Sequence, residues 1–190
     1  MSQANALPGA SRTPQAGAPP TMGWTTRLYD GTPVSIRPID SQDAELELEF
    51  LNRLSPAMRE LRFLGLIREP CPQVARELTD LDPATAAGFI AVVSEEGRER
   101  QIGAAHFHLG ATDDQCDCSV TVSDEWQKRG VGSTLMRLLI EAARLRGIRH
   151  MRAFAPTRSD GSHQLAARLG FERRLDPRDP AAVVYHLELE

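Results

Sequence analysis

The sequence predicts an α/β fold: a mixed, mostly antiparallel central sheet of about six to seven strands flanked by helices. Three observations carry that expectation. A helical front spans residues 41–81. Three apolar runs then follow one another through short polar turns, the pattern of an antiparallel meander. After them come a strand, a long amphipathic helix and a further strand.

Residues 1–23 are rich in Ala, Pro, Gly, Ser, Thr and Gln and almost free of large apolar side chains. Such a segment cannot bury enough surface to offset its ordering entropy, so a disordered tail is expected there, with Met22 as an alternative start. Residues 24–190 are expected to form a single domain. Asp30-Gly31 suits a turn between two short strands, and residues 33–37 alternate as a strand. Asp40 or Ser41 can cap the next helix, whose apolar face is Leu46, Phe50, Leu51 and Leu54. Ser55-Pro56 opens a second helix and Pro72 a third. Strands are expected at residues 88–93, 101–109 and 116–122. The long helix follows, with a stripe of Val131, Leu135, Leu138, Leu139, Ala142 and Leu145. Gly147 stops it, with Arg144 and Arg146 in the last turn. A strand at 149–155, a helix at 161–169 and strands at 171–175 and 182–189 close the domain.

The chain has 190 residues, 41% hydrophobic and 25% charged, as expected of a globular protein with a proper core. A net charge of −4 argues against nucleic acid as a partner and suits a cationic substrate. Cys71, Cys116 and Cys118 make no disulfide framework, which points to a reducing, cytoplasmic setting. No apolar run approaches the roughly 20 residues needed to span a bilayer, and the N-terminus has no continuous apolar signal region, so no membrane association is expected.

The most informative stretch runs from Val120 to Thr134. It reads as a strand, a glycine-containing turn and a helix start. A helix N-terminus presents bare N–H groups and partial positive charge, and Lys128 and Arg129 add two full charges beside it. Gly130 and Gly132 are expected to supply positive φ and to let a ligand approach the backbone. A diphosphate would find donors, dipole and cations together. Neither the P-loop nor the Rossmann fingerprint is met.

The spacing Gln127-x-x-Gly130-x-Gly132 resembles the acetyl-CoA pyrophosphate turn of the GNAT N-acetyltransferase superfamily. Gly170-Phe171 after an amphipathic helix resembles a corner of the same family. The segments 30–38, 54–56 and 61–65 look like the acetyltransferase module of bacterial protein-lysine acetyltransferases. The resemblance implies the GNAT fold, with a splayed parallel strand pair at the CoA site. It implies an acetyl-CoA-dependent acyltransferase acting on a primary amine, either protein lysine or a small molecule, with homodimerisation a common default. By the same resemblance, main-chain atoms of Val120 and Val122 hold pantetheine, and the amides of Lys128, Arg129, Gly130, Val131, Gly132 and Ser133 hold the diphosphate. Ser159 matches a frequent asparagine. Asp117 stands ten residues before Gln127, where the family module carries a glutamate. The family's usual tyrosine is replaced by Ala166. That replacement motivates a second expectation, an acyl-CoA-binding sensor with weak or no catalysis.

Direct attack requires a neutral amine. A lysine-like ammonium of pKa about 10.4 costs about 4.6 kcal/mol to deprotonate at pH 7. Asp117 is the candidate base, acting directly or through water. A backbone N–H of Val120 or Val122 is the candidate donor to the thioester oxygen. No metal is expected. One competing constellation is His106, His108, Cys116 and Cys118 on consecutive strands. If His108 lies across from Cys116, four ligands meet as in a zinc site; a shift of one residue sends the two pairs to opposite faces. His163 is a further candidate acid near the helix at 161–169.

Overall fold

The computed structural model describes residues 23–67, 69–176 and 179–190. The expected disordered tail therefore lies outside the described residues, apart from Gly23. Chain order is β1 (Trp24–Arg27), β2 (Pro33–Pro38), α1 (Ala44–Arg53), α2 (Pro56–Phe63), α3 (Pro72–Thr79), β3 (Ala86–Glu95), β4 (Arg98–Leu109), β5 (Gln115–Val122), α4 (Val131–Leu145), β6 (His150–Pro156), α5 (Asp160–Arg168), β7 (Glu172–Leu175) and β8 (Ala182–Glu188). The strands form one eight-stranded sheet in the order β1-β2-β3-β4-β5-β6-β8-β7. That is slightly more than the six to seven expected, because β1 and β7, each of four residues, both pair fully at the edges. Among the described residues, only β5 and β6 run parallel.

Helices cover both faces. Phe50 and Leu51 of α1, Leu54 just after it and Phe63 of α2 bury against Ile90, Val92 and Ala104 on one face. Val131, Leu135, Leu139 and Ala143 of α4, with Ala166 of α5, bury against Phe89, Ala105, Phe107 and Cys118 on the other. Among the described residues, no helix is long and apolar enough to cross a membrane.

Two helix faces differ from expectation. Leu46 is only half-buried on α1, and Glu47 beside it is fully buried. Its carboxylate accepts from the Gln101 side-chain amide, also buried. On α4 the buried column is Val131, Leu135, Leu139 and Ala143, joined by Ser133, Met136 and Ile140. Leu145, expected in the stripe, is 81% exposed. The sheet ends beneath the last turn, where Gly147 (φ +76°) caps the helix and Ile148 N–H bonds back to Ala143 O at 3.1 Å. Arg146 turns away from the helix end, donating to Ala86 O at 2.8 Å and lying over Phe107.

Candidate active site

β5 and β6 separate part-way along. Their pairing runs from Gln115↔His150 to Cys118↔Ala153 and stops there, although β5 continues to Val122 and β6 to Pro156. A V-shaped gap opens between the two strand ends. Gly110 N–H bonds Gln115 O and Ser123 N–H bonds Ile102 O, at the two ends of the β4–β5 ladder. Alternation along the strand then directs the main-chain groups of odd-numbered β5 residues toward β4. The N–H and C=O of Val120 and Val122 point the other way, into the gap. Their side chains pack on the α4 face.

The gap leads straight to the start of α4. The first helical bond there is Thr134 N–H to Gly130 O, at 3.0 Å. The N–H groups of Val131, Gly132 and Ser133 precede it and have no partner along the helix, and Gly130 offers no side-chain cap. Gly130 has φ +100°, whereas Gly132 is ordinary helix, so only the first glycine is required by its backbone angle. The turn instead draws its second left-handed residue from Lys128 (φ +59°), whose side chain is exposed. A Cβ on Gly132 would sit 3.5 Å from Leu165 and Val122, at the junction of α4, α5 and β5.

Arg129 points elsewhere than a diphosphate requires. Its guanidinium pairs with Asp30, donates to Thr32 Oγ1 at 3.0 Å and lies 4.1 Å from the Trp126 ring centroid. Bonds from Thr32 and Arg129 hold the Asp30 carboxyl down at about 2. Arg129 thus clamps the β1–β2 turn onto the glycine turn, and its carbonyl accepts from Tyr29 N–H at 3.4 Å, which leaves the amides of the turn available. Gln127 reaches Val122 O at 3.4 Å and Met58 Sδ at 3.2 Å, and Asp124 accepts from Ser55 N–H and Oγ–H at 3.1 and 2.7 Å. These bonds fasten the start of α2 to the glycine turn. Ser159 begins α5 and donates to Ser162 Oγ at 2.7 Å.

Asp117 lies on the α1–α3 face of β5, one rung below the opening. Arg152 of β6, its neighbour in register, donates from Nε and Nη2 to the two carboxylate oxygens at 2.8 and 3.1 Å. Arg152 was not singled out from the sequence, because only the β5–β6 register brings it to Asp117. Ser119 stands on the same face at the opening itself. Pro56, Arg59, Glu60, Gly65 and Ile67 line a cavity of about 400 Å³ on α2 and its following loop.

The register decides against the zinc constellation. Cys118 lies across from Phe107 and Cys116 across from Leu109, so the cysteines face α4. His106 and His108 lie across from Ser119 and Asp117 on the opposite face. Burial pushes the Cys116 thiol up to about 12, so it stays protonated as a core side chain. Ala166 is buried in the core and His163 is exposed, 6.4 Å from the Tyr185 ring.

The chain resembles known proteins in sequence and in fold. The sequence model described as "Acetyltransferase (GNAT) family" matches residues 54–171. The chain is 38% identical over 180 residues to Acetyltransferase PA5475 of Pseudomonas aeruginosa, covering 95% of this chain and 97% of that protein. Its fold is similar to the GNAT domain of S. lividans PAT, with a TM-score of 0.79 at 23% identity over 88% of this chain and 97% of that one. It is also similar to a cAMP-binding acyltransferase from Mycobacterium smegmatis, with a TM-score of 0.61 at 22% identity, over 89% of this chain and 48% of that one.

Proposed function

Because the chain belongs to the acetyltransferase (GNAT) family, we propose that it moves an acetyl group from acetyl-CoA to a primary amine by direct attack. The observation that carries this reading is the open backbone edge of β5 running into the uncapped start of α4. An extended amide chain ending in a diphosphate needs both features in that order. Val120 and Val122 offer main-chain groups to pantetheine. The amides from Lys128 to Ser133 and the exposed Lys128 side chain take the diphosphate, with Ser159 at the far arm of the gap. Among the described residues, acidic side chains are absent from the turn between Gln127 and Ser133, which suits an anion.

The acceptor enters on the other face, between α2 with its following loop and the Asp117–Arg152 pair. Asp117 draws the ammonium proton, directly or through one water, and the Val120 N–H donates to the developing oxyanion. The acceptor class is a primary amine, either protein lysine or a small molecule. No metal takes part.

Titration calorimetry with CoA tests the cofactor site. Gly132→Trp fills the junction with an indole and is expected to abolish binding; unchanged affinity in a folded variant would sink the site. Asp117→Asn is expected to keep CoA affinity and lose turnover about 10²-fold. A second reading is favoured by the buried Ala166, which leaves α5 without a phenol. In that reading the chain is an acyl-CoA sensor, and CoA binds tightly with no transfer to any amine.

A further inference from the structure

We infer that His108 takes the acceptor's proton onward from Asp117, so that the two side chains relay it from the reacting amine to solvent. This rests on the acetyltransferase reading above. His108 of β4 lies directly opposite Asp117 of β5. Opposite side chains in an antiparallel pair share a face, with Cβ atoms about 5 Å apart. Asp117 is gripped from the β6 side by Arg152, and each of its oxygens retains lone-pair capacity for a second donor. His108 is the residue that β4 sets opposite Asp117, on the side away from Arg152 and β6.

The chemistry calls for such a neighbour. Near neutral pH an imidazole is in general a better transient holder of a proton than a carboxylate is. Position separates the two histidines of this face. His106 is 2% exposed and lies opposite Ser119, while His108 reaches solvent and lies opposite the carboxylate. Asp117 of β5 lies opposite His108 in register, Ala86 of β3 stands on its other side, and His106 is on its own strand; the charged group that acts on its ring is Arg62 of α2. Partial burial and the Arg62 guanidinium lower the pKa of His108, which keeps the ring neutral and able to accept at pH 7.

The ammonium loses one proton to the Asp117 carboxylate, and the freed nitrogen lone pair attacks the thioester carbon. Asp117 returns to its anion by passing that proton to His108, which releases it to water. The C–S bond breaks as the carbonyl re-forms, and the surplus proton on the new amide nitrogen ends on the thiolate. The net products are amide, CoA thiol and one proton.

The test measures kcat, KM and their pH profiles for His108→Gln and His108→Ala. The substrates are acetyl-CoA and a blocked lysine peptide or an aliphatic amine, whichever the unmodified protein turns over faster. A relay predicts a kcat lower by at least about tenfold, an unchanged KM for acetyl-CoA and a displaced acid limb. Added imidazole should restore part of the rate of His108→Ala. If that variant fails to fold, His108→Gln carries the pH test. Unaltered kcat and acid limb would overturn the relay. So would a loss of rate that leaves the acid limb in place and is not rescued. If the unmodified protein turns over no amine, the acetyltransferase reading and the relay fall together; an active protein with unaffected variants removes the relay alone.

Discussion

Gly130 and Gly132 look alike in the sequence and do different things. At φ +100°, Gly130 occupies a conformation that strains any L side chain, and an added Cβ would come within 3.2 Å of the Tyr29 ring. Tyr29 is 74% exposed and free to yield, so the backbone angle dominates the cost. Gly130→Ala is expected to lose about 1 kcal/mol in urea denaturation. Gly132→Ala, in ordinary helix with 3.5 Å clearance, is expected to gain up to about 0.5 kcal/mol, because alanine is the better helix former. Equal losses for both would refute the distinction. The spacing of the two glycines was legible in the sequence. Their separate conformations were not, because φ depends on the bonds made by the whole turn. Arg129 makes the same point: its charge is visible in the sequence, but its commitment to Asp30 and Trp126 depends on a residue 99 positions away.

At the scale of elements, α4 was foreseen in place and length, and its buried face only in part. Both Val131–Leu135–Leu139 and Leu138–Ala142–Leu145 are apolar columns, and only the sheet's footprint selects between them. On α1, Glu47 interrupts an apolar face and is nonetheless fully buried. Burial raises its pKa, while the Gln101 bond and Arg62 act in the opposite direction. A carboxyl group with a raised folded-state pKa contributes stability that is fully present below its unfolded value and is lost as pH rises through the folded value. Glu47→Gln keeps an acceptor for Gln101 and removes the ionisation. Its melting temperature should exceed that of the unmodified protein at pH 8, and the two should converge toward pH 4. A constant difference across that range would show that ionisation of Glu47 is not the cause.

For the whole molecule, the open β5–β6 pair is a gap that a ligand would bridge. It is held by attachments on either side: Arg152 to Asp117 at the vertex, Asp124 to Ser55 toward α2, and Arg129 to Asp30 toward β1. A ligand that binds only the folded chain adds RT ln(1 + [L]/Kd), about 2.7 kcal/mol at a hundredfold excess over Kd. For a chain of this size CoA is therefore expected to raise Tm by roughly 5–10 °C; no shift at saturation would remove the cofactor site. The sequence by itself determined the α/β class, the order of nearly all the elements and the glycine turn. Periodicity, turn residues and motif spacing are local, and local patterns survive without coordinates. Only the tertiary structure decided the register between strands. Register separated the cysteines from the histidines, joined Asp117 to Arg152, and set His108 opposite the carboxylate. A one-residue slip reverses every face of a strand, and nothing within a single strand records which slip its neighbour adopts.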